Sequence, residues 1–151
     1  MPKLKEKLGN INIDGSLRFD EPMARHTTFE VGGPADLYVR PASVRDVRTI
    51  LQLGRQLGER IFTLGGGANI LVSDAGIRGI VMDMGEFTEV AIEQADTPSP
   101  QPPARTTADA PSADSDAAAT VYARVGAGLA VSDAAAALAE RGLAGLDFLY
   151  A

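Results

Sequence analysis

The spacing of apolar and polar positions predicts short strands interrupted by two helices. ADLYVR, Ala35 to Arg40, sets Leu37 and Val39 on one face, the period of a half-buried strand, and Pro41 ends it. Ser43 then stands as a helix cap, with Asp46 three residues on in the position of a capping box. Val44, Val47, Ile50, Leu51 and Leu57 recur at helical spacing, and Gly58 supplies a stop. Arg60 to Leu64 reads as the next strand, with IFTL at its heart. The order strand, helix, strand predicts a βαβ unit with a right-handed crossover. Gly79 to Met84 and Glu89 to Glu93 read as further strands. The polar start, residues 1 to 20, reads as a helix or arm, followed by a loop around Glu21-Pro22.

After Glu93 the composition changes. Ala95 to Thr120 is rich in Pro, Ala, Ser, Thr and Asp and has almost no large apolar residue. Such a stretch buries too little surface to offset its ordering entropy, so it reads as a disordered insert. Short strands flank it, which makes it a lengthened hairpin connection rather than a domain linker. Val121 to Val125 resumes the pattern. An Ala-rich helix follows, capped by Ser132, running to about Arg141 and stopped by Gly142.

The chain has 151 residues, 45% of them hydrophobic, which suits one domain with its own core. A formal charge of -6 with scattered basic residues argues against nucleic-acid and membrane-surface partners. With no cysteine there is no disulfide, thiol nucleophile or thiolate metal site, and His26 alone makes a histidine metal site an unpromising reading. The basic start lacks a secretory apolar region, so the expected compartment is the cytoplasm.

Chemistry is concentrated in glycine. Gly65, Gly66 and Gly67 directly follow a predicted strand, and Gly126 and Gly128 follow another. Glycine runs let backbone amides converge on one point, a geometry that binds phosphate. The P-loop lysine is missing, and Ile70 stands where a dinucleotide fingerprint needs its third glycine. ANILVSDAG has no helical pattern, so the loop itself, not a helix N-terminus, would hold the anion, with Asn69 free to brace it. Two strand-end loops could share one pyrophosphate. The bland alternative at each is a tight turn with no ligand.

LGGGANILVSDAGIRGIVMDM resembles the flavin-binding loop of the UDP-N-acetylenolpyruvoylglucosamine reductase family. HTTFEVGGPADLYVRPASVRDV resembles that family's leading segment, and VGAGLAVSDAAAALAERGLAGLDFL its later glycine loop and helix, with Asp147 in an acidic place. The resemblance implies an α+β fold of the vanillyl-alcohol-oxidase-like (PCMH) type, with a βαβ start and two subdomains around FAD. It implies a reaction in which NADPH reduces FAD and the flavin reduces an enolpyruvyl UDP-sugar to UDP-N-acetylmuramate, in peptidoglycan precursor synthesis.

Carried over by residue, Gly65, Gly66, Gly67, Ala68 and Asn69 would line the FAD pyrophosphate, and Ile70 and Leu71 would continue that wall. Gly126, Ala127 and Gly128 would approach from the second loop. Thr27, Thr28, Gly32 and Gly33 belong to the matching leading segment, where a plain turn competes with ligand contact. His26 reads as a loop residue, too far in sequence from the glycines for covalent flavin. Ala68 departs from the family's frequent serine, and Glu30 from a common basic residue. The family's catalytic arginine, proton-donating serine, supporting glutamate and substrate-binding domain would lie beyond Ala151. The expectation is therefore a truncated FAD-binding domain over residues 21–151, inactive alone, with no catalytic or metal residue. Competing readings are another flavin oxidase of the same fold, acting on a sugar or hydroxy acid, and a non-catalytic flavin-nucleotide-binding module.

Overall fold

The computed structural model describes residues 11–94 and 121–143. The polar stretch read as a helix or arm is, from Ser16, a strand. Strand β1 (Ser16–Pro22) pairs antiparallel with β2 (Pro34–Arg40), setting Leu17 opposite Val39 and Phe19 opposite Leu37. It runs through the boundary drawn between residues 20 and 21, and Ile11, Ile13, Leu17 and Phe19 pack against the core. The reason lies in a period of two: these apolar residues alternate with exposed polar ones. Glu21 and Pro22 close the strand rather than forming a loop, and a 3-10 turn (Met23–His26) follows.

Helix α1 (Val44–Leu57) begins as expected, with the Ser43 side chain accepting from the Asp46 amide at 3.2 Å, and ends at Gly58 in the left-handed conformation (φ 69). Its inward stripe is Val47, Ile50, Leu53 and Leu57. Val44 and Leu51 face water instead. Gly54 sits mid-helix at a cost of about 1 kcal/mol relative to Ala. A Cβ there would lie 2.5 Å from Ile61 Cδ1, so the Ile61 side chain would have to turn aside.

Strand β3 (Ile61–Leu64) and β4 (Ile77–Asp83) complete a four-stranded sheet of order β1-β2-β4-β3. Strands β2 and β3 run parallel to β4, but β4 inserts between them, so the strand-helix-strand unit does not join neighbours. Strand β2 was read as half-buried, yet Ala35 to Val39 are buried without a break. A central strand covered on both faces does this. On one face Leu37, Val39, Ile80 and Met82 meet Ile50 and Leu53 of α1. On the other, Tyr38, Val81 and Leu64 meet Met23 and Val72 from the loops. The β2–β4 register shifts between Ala35 and Leu37. Gly79, at φ 122, absorbs that irregularity on β4, and its amide donates to Asp36 Oδ2 at 3.1 Å.

Strands β5 (Val90–Gln94) and β6 (Val121–Val125) form a second, antiparallel sheet. Helix α2 (Val131–Ala139) starts one residue before its expected cap: Ala130 takes the cap position without a side-chain bond, and Ser132 lies in the first turn. Gly142 (φ 75) follows its C-terminal end, where Leu143 N donates to Leu138 O at 3.1 Å. The 95–120 insert lies outside the described residues. Gln94 pairs directly with Val121, so the chain re-enters where it left. Replacing 95–120 by Asn-Gly should therefore leave the melting temperature within about 2 °C of the parent or slightly above it. A fall of more than about 5 °C in a thermal melt would show that the insert contributes packing.

Candidate functional site

Strands β2, β3 and β4 run in one direction, so their carboxyl ends, Arg40, Leu64 and Asp83, meet at one edge of the sheet. In parallel sheets this is where ligands bind. The chain leaving β3 enters no helix; Gly65 to Asn69 bend and turn. The base of the loop is tied to β4, with Met84 N donating to Leu64 O at 2.8 Å. Its far side is latched to the turn after β1: Thr28 N donates to Gly67 O at 3.1 Å. Gly67 (φ 71) could not carry a side chain, because its Cβ would overlap the His26 carbonyl. His26, remote in sequence, is thus brought against the glycine run.

The second glycine loop arrives from β6. Gly126 N donates to Glu89 O at 2.8 Å, and Gly128 N to Phe87 O at 2.9 Å. A Cβ on either would overlap the backbone of Phe87 or Met84. The two loops lie close enough that a Cβ added at Gly65 would come within 3.5 Å of Ala127 O. Gly66 differs from all of these. Its φ is not in the left-handed region, and a Cβ there would meet nothing within 4 Å. The fold does not require glycine at 66. A bare backbone facing open space fits a diphosphate that approaches the amides closely, so the residues present fit the FAD that the resemblance implies.

Two hollows share the Gly65–Gly66 wall. One, of about 390 Å³, is bounded by Gly65, Gly66 and Gly128 together with Arg25, Arg40 and Asp83. The other, of about 430 Å³, runs along Thr63 to Ile70 and so takes in Gly67, Ala68, Asn69 and Ile70. Leu71, 75% exposed, lies in a third hollow with Phe62 and Arg78, away from the glycines. Gly126 and Ala127 line neither of the first two hollows; the Gly126 amide ties its loop to Glu89 O. Gly32 and Gly33 pack against Val72 and the Asp74 backbone, which is the plain-turn role.

The first hollow is charged, which the glycine pattern did not foretell. Asp83 accepts from the Gly85 amide at 2.8 Å and from the Tyr38 hydroxyl. Burial, and then the Asp83 carboxylate, push the Tyr38 phenol well above its usual range, so it stays a donor. Arg40 Nε lies 3.7 Å from Asp83 and 3.2 Å from Glu86. His26 stacks on Tyr38 with ring centroids 4.1 Å apart and places Nε2 3.0 Å from Glu21. That hydrogen bond outweighs burial and, with Arg18, holds the Glu21 carboxyl below its usual value. Arg40 and Asp83 each close a strand, so a charged residue at the last position of an apolar run was the available signal. Among the described residues no group of three or more His, Cys, Asp or Glu could hold a metal, and no helix is long and apolar enough to cross a membrane.

The family described as FAD binding domain matches residues 35–150, and the chain belongs to it. The mixed sheets with few helices are its α+β framework. Within it, the chain is similar to UDP-N-acetylenolpyruvoylglucosamine reductases. The Geobacter sulfurreducens enzyme is 35% identical over 137 residues, 91% of this chain and 37% of that one. The reductase 2 of Symbiobacterium thermophilum is 33% identical over 153 residues, 100% of this chain and 41% of that one. The chain thus spans well under half the length of these relatives and corresponds to their FAD-binding part. A solved structure of alkyldihydroxyacetonephosphate synthase is 23% identical, covering 62% of this chain and 24% of its own, with a TM-score of 0.46.

Proposed function

We propose that the chain holds FAD across its two glycine loops, in a reductase that converts UDP-N-acetylglucosamine enolpyruvate to UDP-N-acetylmuramate with NADPH. The observation that carries this is the wall at Gly66, open where the fold needs no glycine, in a hollow that Gly65 and Gly66 share with Gly128 of the second loop. Backbone amides from Gly65 to Asn69 would hold the diphosphate, with Ile70 continuing the wall and Leu71 turned into the neighbouring hollow. Gly128 would close the other side, held in place by Gly126 and Ala127. FAD, when bound, carries hydride from NADPH to the enolpyruvyl double bond. This chain's residues would bind, orient and screen it: the latch from Thr28 to Gly67 fixes the loop, and Leu64 lines both hollows beside it. The reaction belongs to cell-wall precursor synthesis and so to cell division, in the cytoplasm.

The test uses a chimera in which this chain replaces the matching part of the Geobacter sulfurreducens reductase. FAD should bind, and NADPH oxidation should depend on the enolpyruvyl UDP-sugar. Bound FAD with oxidation indifferent to that sugar would mark a different flavin oxidoreductase. No FAD binding by the folded chimera would remove the site assignment itself.

A further inference from the structure

We propose that Arg40 is a specificity-determining residue that presents a fixed positive charge to the cofactor's diphosphate, so that the cleft selects a dinucleotide flavin over one without phosphate. The inference rests on the FAD reading above. Arg40 ends β2 and bounds the same hollow as Gly65, Gly66 and Gly128. Two carboxylates approach its guanidinium at Nε: Glu86 at 3.2 Å and Asp83 at 3.7 Å. Its Nη2 end lies over Gly85, where a Cβ would come within 2.6 Å. Glycine at 85 is therefore needed for the guanidinium to lie where it does. Such an arginine gives up little conformational entropy when an anion arrives, and its planar donors suit phosphate oxygens.

The two carboxylates offset part of the guanidinium's charge but do not use all five of its N–H donors. The Asp83 carboxylate also accepts from the Tyr38 hydroxyl and the Gly85 amide. Glu86 is 52% exposed and is screened by water and salt. Arg25 bounds the same hollow but is 70% exposed and 3.9 Å from Glu21, a looser arrangement than Arg40, which is 44% exposed and 3.2 Å from Glu86.

The experiment titrates the same chimera with FAD and with riboflavin, for wild type, Arg40→Met and Arg40→Lys, at low and high salt. Arg40→Met should weaken FAD binding about 10- to 100-fold and leave riboflavin binding unchanged. It should also flatten the salt dependence of FAD binding. Arg40→Lys should recover part of the loss. If Arg40→Met binds FAD like wild type, or loses FAD and riboflavin equally, the inference is overturned while the FAD site stands. If folded wild type does not bind FAD, the cofactor reading falls and this one with it. Circular dichroism on each variant separates these outcomes from unfolding.

Discussion

Replacing Gly66 by aspartate should weaken FAD binding at least tenfold, about 1.4 kcal/mol or more, without unfolding the chain. A carboxylate added beside a diphosphate at roughly 5 Å is repelled by about 3 kcal/mol at an effective dielectric near 20. Its oxygens would also occupy the space the phosphates need. The fold is spared because position 66 has neither a left-handed φ nor a neighbour within 4 Å of a Cβ. Any side chain there also narrows the unfolded ensemble, so stability should stay within about 0.5 kcal/mol of the parent or rise. Gly67→Ala gives the contrast. At φ 71, with the His26 carbonyl in the way, it should lose stability and FAD together. Thermal melts beside flavin titrations separate the two kinds of glycine. Full FAD affinity in a folded Gly66→Asp chain would mean that the diphosphate lies elsewhere.

That contrast shows what a sequence can carry. Three consecutive glycines announced a loop with a backbone task, and periodicity found β2, α1, β3 and β4. Register bore out the hairpin reading of β5 and β6 across a compositional break. What could not be read was lateral order. Nothing in the chain says that β4 lies between β2 and β3, so nothing put Arg40 beside Asp83, though both close apolar strands. His26 was judged remote from the glycines by sequence separation, yet a turn after β1 carries it back to Gly67. Strand β1 was legible: Leu17 and Phe19 alternate with polar residues. The dominance of charge in that stretch masked a period of two.

Asp46→Ala should cost about 2–4 kcal/mol of stability and leave the FAD affinity of the folded fraction unchanged. Asp46 is buried in the first turn of α1, where its carboxylate does not close a full capping box with Ser43. It accepts instead from three amides: Asp14 at 3.2 Å, Gly15 at 3.0 Å and Ala42 at 3.0 Å. One carboxylate thereby pins the segment before β1 to the start of the helix, on the α1 side of the sheet. Truncation orphans these donors. Water can reach the partly exposed ones, which keeps the cost below that of a fully buried site. Burial alone would raise the Asp46 pKa, but the amides of Ala42, Asp14 and Gly15 prevail and hold it below the usual carboxylate value. The unfolded chain thus binds this proton more tightly than the folded one. The contribution is complete above about pH 5, shrinks as pH falls below about 4, and is gone below the folded pKa. In urea unfolding across that range, Asp46→Asn should start less stable than wild type at pH 7, and the gap should close on acidification. A gap that stays constant down to pH 2.5 would show that the charge on Asp46 does no more than its shape.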